Sequence, residues 1–394
     1  MFGEKLTYWM NTQRSFIFTT SVILATVVAI TIFGEAYGLG LVSTSMVKTL
    51  GKTLALCLAA LALDLLWGYC GILSLGHFAF FGLGGYMIGM WLMYDRTKDI
   101  VINASLTEPI PLTALEIEEA IGTQIFGVVG GSEIPAIWWF ADYFWVQLAL
   151  VIFVPGTIAF VFGLLAFRSR VTGVYLSILS QALTLAICLY LFQNDNGLRG
   201  NNGLSGLQNI PGFDHLSQAF ISLWFFWASA FFLIIGYLGC KFLVGKKFGN
   251  VIRAIRDDEN RIRFLGYNVE RYKLFVFVYT AVICSIAGAL YYPQAGIVNP
   301  TELAPIASIY LAVWVSIGGR GRLYGAIIGA AFVSLLSSFF TGGQLPDIET
   351  GLFTFKWVDW WLVILGLSFI LITLFAPKGI GGVFDRFQNR RLER

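Results

Sequence analysis

Few residues in this sequence have the spacing that a catalytic or metal-binding site requires. The string Gly51-Lys52-Thr53 resembles the end of a phosphate-binding loop, but Met46 stands where that loop needs its first glycine. The two histidines, His77 and His215, have no further ligand at metal-binding spacing. The five cysteines contain no Cys-x-x-Cys pair and are typical of buried apolar residues. We therefore expect a protein that is not an enzyme, with no catalytic residue, cofactor or metal site.

A glycine-rich segment, residues 64–89, carries polar groups of another kind. Seven glycines lie within 22 residues, and Asp64, Ser74 and His77 lie among them or beside them. A carboxylate in an apolar run is a candidate for a substrate pathway, and glycine-interrupted helices free backbone groups to line one. All three are therefore candidate pathway residues. The simpler alternatives are that Asp64 is a structural hydrogen-bond acceptor near a helix end and that His77 packs between helices.

A second polar segment, residues 193–212, is rich in amide side chains and has glycines at intervals of three. Amides hydrogen-bond small neutral solutes without a charge clamp. Asn201 and Asn202 are therefore further candidate pathway residues. A turn-rich loop whose polar side chains face water is an equally good interpretation.

The segment 245–273 combines a narrow apolar stripe at helical spacing with charged residues of both signs. Such a helix can rest on a membrane surface or dock into the groove of a partner. The mixture of charges favours docking over the membrane surface. The alternative is a solvated loop whose basic residues only fix the topology.

Composition defines the surroundings in which these segments lie. Of the 394 residues, 57% are hydrophobic and 12% charged, and the mean hydropathy is +0.75. Soluble domains carry roughly a quarter charged residues. The chain is therefore predicted to be an all-α polytopic membrane protein rather than a soluble enzyme.

About ten transmembrane helices are predicted from apolar runs, since a bilayer core needs about 20 apolar residues per helix. If the N-terminus is cytoplasmic, the inner segments hold 19 Lys and Arg and the outer segments five. This asymmetry places both termini in the cytoplasm. The predicted runs are 16–33, 49–67, 76–94, 148–166, 173–192, 219–244, 274–292, 304–318, 323–340 and 358–376.

The longest outer segment, residues 95–147, is an acidic insertion. The stretch from Leu112 to Ile121 is predicted to be helical, and Trp138, Trp139 and Trp145 to belong to an interfacial aromatic belt.

Five stretches then carry a resemblance that covers most of the chain. The string GYCGILSLGHFAFFGLGGY (68–86) resembles the signature of the branched-chain amino-acid permease family of ABC importers, specifically its M-type subunit. NGLRGNNGLSGL (196–207) resembles the outer loop of that family, and residues 253–290 resemble its coupling loop and following helix. SIGGRGRLYGAIIGAAF (316–332) and APKGIGGVF (376–384) resemble its closing motifs. Within the family, the string from Asp64 to His77 resembles the urea-importer version, since amino-acid permeases more often carry Asn at position 64, and the long insertion departs from the shorter amino-acid permeases.

The resemblance implies a single transmembrane permease domain over residues 1–394, with the ABC importer permease fold, in a bacterial inner membrane. It implies a homologous second permease as heterodimer partner, two cytoplasmic ATP-binding subunits and a periplasmic substrate-binding protein, within membrane lipid and without nucleic acid. The substrate it implies is urea or a similar small amide. The residues it implies for ATPase coupling, within the coupling loop 245–273, are Arg253, Arg256, Asp257, Asp258, Glu259, Asn260 and Arg261.

Three alternatives stay open at this point. The first is that the chain belongs to the same kind of importer and that its substrate is a branched-chain amino acid. The second places the chain in another class of protein, as a passive channel that works without ATPases. The third is that the chain is an ion-coupled secondary transporter, which should show paired intramembrane ionisable residues. Only Asp64 and Asp359 are candidates for such a pair.

Overall fold

The computed structural model describes residues 2–36, 40–107, 113–130, 133–213, 216–342, 348–350, 353–355, 357–375 and 379–382. Thirteen α-helices make up most of this part of the chain. They are α1 (Phe2–Phe33), α2 (Thr44–Asp64), α3 (His77–Thr107), α4 (Ala114–Phe126), α5 (Phe144–Arg168), α6 (Val174–Phe192), α7 (Gln218–Gly245), α8 (Lys247–Asp257), α9 (Glu259–Phe264), α10 (Val269–Ala295), α11 (Pro305–Gly318), α12 (Leu323–Thr341) and α13 (Trp357–Phe375).

Short elements connect these helices. A π-helical turn, Leu65–Tyr69, extends α2, and a 3₁₀ turn, Pro300–Leu303, precedes α11. Strands β1 (Leu204–Ser205) and β2 (Ile297–Val298) pair antiparallel, as do β3 (Ile348–Thr350) and β4 (Phe353–Phe355).

The predicted all-α membrane fold is confirmed. Each of the ten predicted apolar runs coincides with one helix, with residue 376 lying outside the described residues. Within the described residues, seven helices are long and apolar enough to cross a membrane, and α11 and α13 are shorter apolar helices. A helix satisfies its own backbone hydrogen bonds, which is why apolar chains cross lipid in this form.

Helix α2 forms the centre of the bundle. Its second half is fully or almost fully buried from Ala55 to Asp64, and it packs against α7, α10 and α12. The N-cap of the helix is Ser43, whose hydroxyl accepts a hydrogen bond from Met46 N–H. Alternating alanine and leucine in this half allow neighbouring helices to approach closely.

Helices α3 and α11 both begin inside the bundle rather than at its ends. His77, the first residue of α3, shares a 3.0 Å hydrogen bond with Thr280, near the middle of α10. The next residue, Phe78, donates its N–H to Ser308 Oγ in the first turn of α11 at 3.1 Å. Two helix N-termini therefore meet in the middle of the bundle.

The connection that leads to α3 is extended instead of helical. Ser177 Oγ of α6 donates to Leu73 O at 2.7 Å, and Leu75 N–H donates to Ser180 Oγ at 3.0 Å. These hydroxyls of α6 supply the bonds that a helix would have made internally. Residues 71–76, predicted as part of a short cytoplasmic connection, thus climb into the bundle.

The outer insertion contains the predicted helix. Helix α4 begins with a capping box between Thr113 and Glu116, and Leu112 lies outside the described residues. Trp138 is buried and donates its indole N–H to Gly197 O at 2.6 Å, which fastens the insertion to the loop 193–212. Helix α3 itself continues to Thr107, so the first part of the predicted outer segment is helical.

Candidate functional site

The middle of the segment 245–273 folds as two short helices, α8 and α9, which meet at Asp258, and α10 begins within the segment at Val269. Asp258 has extended backbone angles and its carboxylate caps α9 by accepting Arg261 N–H at 3.1 Å. Most of the predicted apolar stripe is buried or partly buried, and Ile255 and Ile262 pack with Val269 in one cluster, but Leu265, predicted to lie on the same stripe, is 67% exposed. The helical, amphipathic prediction is confirmed, with a break that divides it into two helices.

One arginine of α8 binds the end of α2. Arg256 Nη1 donates to Gly68 O at 2.7 Å, and its aliphatic part lies against Gly71. Gly71 has φ +79°, and a Cβ atom there would lie 2.7 Å from Arg256 Cγ. Both facts favour glycine at position 71. The contact links the segment 245–273 directly to the glycine-rich segment.

Asp64 connects this end of α2 to the loop between α11 and α12. Its Oδ1 accepts the N–H of Gly321 at 2.7 Å, and its side chain is fully buried. A Cβ atom at Gly68 would lie 2.3 Å from Asp64 Oδ1 and 2.5 Å from Gly321 N. Position 68 therefore admits only glycine without a shift of the backbone. We call Asp64, Gly68, Arg256 and Gly321 the cytoplasmic junction.

The closing motifs also meet at this junction. A Cβ atom at Gly379 would lie 2.4 Å from the Gly319 backbone, and Tyr324 Oη donates to Gly381 O at 3.1 Å. Segments from four parts of the sequence thus come together through glycine backbones at the cytoplasmic end of the bundle.

An ionic cluster fixes α9 to α10. Glu259 accepts from Lys273 Nζ at 2.5 Å and from Arg263 Nη2 at 2.7 Å, and Arg263 also pairs with Glu270. Burial acts to raise the pKa of Glu259, but the hydrogen bonds from Lys273 and Arg263 outweigh it and lower that pKa. Glu259 is therefore ionised at neutral pH and holds the helix in place.

The seven predicted coupling residues point in two directions. Arg253 bonds Val244 O at 2.9 Å and, with Arg256 and Glu259, binds the bundle. The other four are exposed and form an outward face: Asp257, Asp258, Asn260 and Arg261. Arg256 joins the two groups, because it is also exposed and its guanidinium pairs with Asp257 Oδ1 at 3.1 Å.

Two apolar residues complete this outward face, and sequence reasoning missed their role. Phe264 is 92% exposed and Leu265 67% exposed, at the end of α9. Exposed apolar side chains next to charged ones are typical of a protein-docking surface. The signal in the sequence was that Phe264 lies beside the apolar stripe rather than on it.

The amino-acid sequence also matches a known protein family. Residues 45–373, most of the chain, match the family described as "Branched-chain amino acid transport system / permease component". The chain belongs to this family. The permease is a multi-pass protein of the inner membrane, in agreement with its apolar helices.

Curated relatives of the permease are named as transport permeases. It is 28% identical over 215 residues to the "Probable branched-chain amino acid transport permease protein LivH" of Methanocaldococcus jannaschii, covering 54% of this chain and 59% of the relative. It is 22% identical over 258 residues to the "High-affinity branched-chain amino acid transport system permease protein LivM" of Salmonella typhimurium, covering 60% and 57%. A shorter match, 30% over 97 residues, is to the "Ribose import permease protein RbsC" of Escherichia coli, covering 23% and 30%.

The permease spans less than two thirds of the length of the LivH and LivM relatives. No solved structure matches it significantly.

The five candidate pathway residues of the permease do not form one site. His77 is buried between Phe80 and Phe277 and bonded to Thr280, as a packing residue would be. Ser74 Oγ accepts Gly76 N–H at 3.3 Å within the extended connection.

Of the remaining three, Asp64 lies at one end of the bundle, and the neighbours Asn201 and Asn202 lie in the outer loop. Asp64 is at the cytoplasmic junction, where its partner is a backbone N–H. Asn201 and Asn202 are exposed in the outer loop, and Asn201 O accepts from Asn299 Nδ2 at 3.1 Å. His215, the second histidine, lies outside the described residues.

Proposed function

We propose that the chain is the permease subunit of an ATP-driven importer of the ABC class. In this proposal it pairs with a homologous permease, two cytoplasmic ATPases and a periplasmic binding protein. The observation that carries it is the arrangement of α8 and α9. One face of these helices is fixed to the bundle through Arg256, and the opposite face exposes Phe264 and Leu265.

The mechanism that follows is a mechanical one. An ATPase binds the outward face of α8 and α9, with Phe264 in a groove of its surface. When the ATPases close on ATP, the helices move, and Arg256 carries that movement to Gly68. The junction then shifts α2 against the loop between α11 and α12, which favours one of two bundle conformations.

The substrate we propose is urea or a similar small amide. The proposal rests on the resemblance of residues 64–77 to urea importers and on the long insertion, which departs from the shorter amino-acid permeases. Since Asp64 bonds a buried backbone group, we treat it as a marker of this version and not as a substrate contact. A branched-chain amino acid is the second candidate, because the LivH and LivM relatives carry that name.

Uptake by the reconstituted complex tests the substrate. Right-side-out vesicles contain the two permeases and the ATPases with ATP inside, and purified binding protein is added outside. We expect labelled urea to enter and an excess of unlabelled leucine to leave its rate unchanged. Uptake of labelled leucine without uptake of urea would replace the proposed substrate with a branched-chain amino acid.

A further inference from the structure

Two arginines bind the same short stretch, residues 203–206, of the outer loop 193–212. Arg199 belongs to the loop itself, and its Nη1 donates to Gly203 O at 3.3 Å. Arg96 belongs to α3, and its Nη1 donates to Gly206 O at 2.9 Å. Neither arginine forms an ion pair with a carboxylate that the structure describes. Two positive charges therefore lie beside one stretch of loop without a counter-charge.

Arg199 is the less usual of the two, because its charge is buried. The residue is 6% exposed, and its Nε has no hydrogen-bond partner among the described residues. Its Nη1 lies 3.3 Å from Gly203 O and 3.4 Å from Ser205 Oγ, whereas a guanidinium N–H usually lies about 2.8 Å from a carboxylate oxygen. A buried charge with such weak partners is unfavourable, and an anion bound to it would remove that cost.

The charged end of Arg199 lies just beneath the outer surface of the loop, under Ser205. Ser205 is exposed, whereas Leu204 beside it is fully buried. An anion that displaces the Ser205 hydroxyl from Arg199 Nη1 would therefore contact the guanidinium without entering the bundle. Asn201 and Asn202, in the same loop, are exposed as well. We call Arg96, Arg199, Asn201, Asn202 and Ser205 the outer platform.

The loop that carries the outer platform is held in place from several sides. Trp138 of the outer insertion donates to Gly197 O at 2.6 Å, and Asn299 Nδ2 donates to Asn201 O at 3.1 Å. Strand β1 of the loop pairs with β2, which follows α10. A surface that is already ordered loses little conformational freedom when a partner binds, which favours docking.

The missing negative charge points to a partner protein rather than to the proposed substrate. Urea and similar small amides are neutral, so they would leave Arg199 and Arg96 without a counter-charge. A carboxylate side chain supplies that charge, and its two oxygens match the paired N–H donors of a guanidinium. Among the proposed partners, the periplasmic binding protein is the one that approaches the outer face of the permease.

We propose that the outer platform is a docking site for the periplasmic binding protein, and that a carboxylate of this protein binds Arg199 with Arg96 beside it. The carboxylate replaces the long contact between Arg199 Nη1 and Ser205 Oγ and balances the buried charge. Asn201 and Asn202 supply polar contacts around it. The inference rests on the proposed function, because it assigns one of the proposed partners to this surface.

The affinity of purified, urea-loaded binding protein for the complete permease–ATPase complex in nanodiscs tests this site. We expect Arg199→Met to weaken binding about tenfold or more at low salt, because the carboxylate loses its buried partner. A higher salt concentration should weaken binding to wild type and change binding to Arg199→Met much less. Arg199→Lys keeps the charge without the paired donors and should lie between the two.

Lys98→Met is the matched control. Lys98 lies on α3, two residues from Arg96, but its charge is already balanced by Asp142 Oδ1 at 2.6 Å. Its removal should leave the affinity within about twofold of wild type. The melting temperature of Arg199→Met should equal or exceed that of wild type, because a buried unpaired charge has been removed. A purely structural role of Arg199 would instead lower that temperature.

The outcomes separate this site from the proposed function. Equal affinity of wild type and Arg199→Met at both salt concentrations would overturn the docking site and leave the proposed importer standing. If Arg199→Met lowers affinity and melting temperature together, and Arg199→Lys restores neither, the role is structural and the docking site is wrong. Unchanged affinity with a loss of leucine uptake would assign the guanidinium to a substrate carboxylate instead. A wild-type complex that does not bind the binding protein would contradict the proposed function itself, whatever the variants do.

Discussion

Asp64 accepts a 2.7 Å hydrogen bond from the backbone N–H of Gly321, although 257 residues separate them in the chain. This bond joins the central helix α2 to the loop between α11 and α12. Gly68, which accepts from Arg256, lies directly against both partners. A movement of α8 therefore reaches two parts of the bundle through one small set of contacts.

Replacing Asp64 should affect stability more than substrate choice. Asp64→Ala leaves the Gly321 N–H without its acceptor, which costs about 1–3 kcal/mol for a buried donor. Asp64→Asn keeps the acceptor oxygen and should cost less. Thermal unfolding in detergent measures the difference, with Asp359→Ala as the exposed control. A change of substrate from urea to leucine in Asp64→Asn would instead make Asp64 a specificity residue.

Gly68→Ala should damage the junction, because its Cβ atom would lie 2.3 Å from Asp64 Oδ1 and 2.5 Å from Gly321 N. Backbone must move to admit it, so we expect a lower melting temperature and reduced transport. Gly366→Ala in α13 is the matched control, since no atom lies within 4 Å of a Cβ there. Alanine favours a helix by about 1 kcal/mol over glycine, so the control should be neutral or more stable. Equal behaviour of both variants would contradict the close packing at Gly68.

Arg256 and Arg261 should behave differently although both belong to the predicted coupling set. Arg256→Ala removes the bond to Gly68 O, so ATPases should still bind and hydrolyse ATP while urea uptake falls. Arg261 is exposed on the outward face, so Arg261→Ala should weaken ATPase binding without breaking the junction. Hydrolysis, uptake and co-purification are measured together in each variant. Normal uptake per ATP in Arg256→Ala would remove Arg256 from the coupling route.

Phe264 is expected to anchor the ATPase. Phe264→Ser removes a side chain that is 92% exposed in the permease alone and that a partner groove would bury. Central aromatic anchors commonly contribute about 2 kcal/mol or more to binding. The ATPases should therefore be lost on size-exclusion chromatography. Leu115→Ser, at an 80% exposed position of the outer insertion, is the control and should keep them bound.

The sequence predicts the membrane fold and the amphipathic loop well, because hydrophobic length and helical periodicity are local properties. Local patterns say nothing of which tertiary neighbour a polar residue finds. The sequence leaves Asp64 as either a pathway residue or a structural hydrogen-bond acceptor near a helix end, and only the packing of Gly321 beside it identifies its partner. In the same way, periodicity marks Arg256 and Arg261 as charged residues beside one stripe, and only the packing of α8 on Gly68 separates their roles.

The starts of α3 and α11 are predicted to within one residue, at 76 and 304 against His77 and Pro305, but their depth inside the bundle is not predicted. The extended residues 71–76 take their hydrogen bonds from Ser177 and Ser180, a hundred residues further along the chain. Apolar composition alone therefore marks where the helix begins in the sequence but not how deep in the bundle that start lies.

The dependence of urea uptake on ATP tests the central proposal most directly. Vesicles with the full complex and external binding protein are compared with and without internal ATP, and again with the proton gradient collapsed at constant ATP. We predict uptake that requires ATP and survives loss of the gradient. Uptake without nucleotide would indicate a passive channel, and loss of uptake with the gradient would indicate a secondary transporter. Either result would contradict an ATP-driven permease coupled through Arg256.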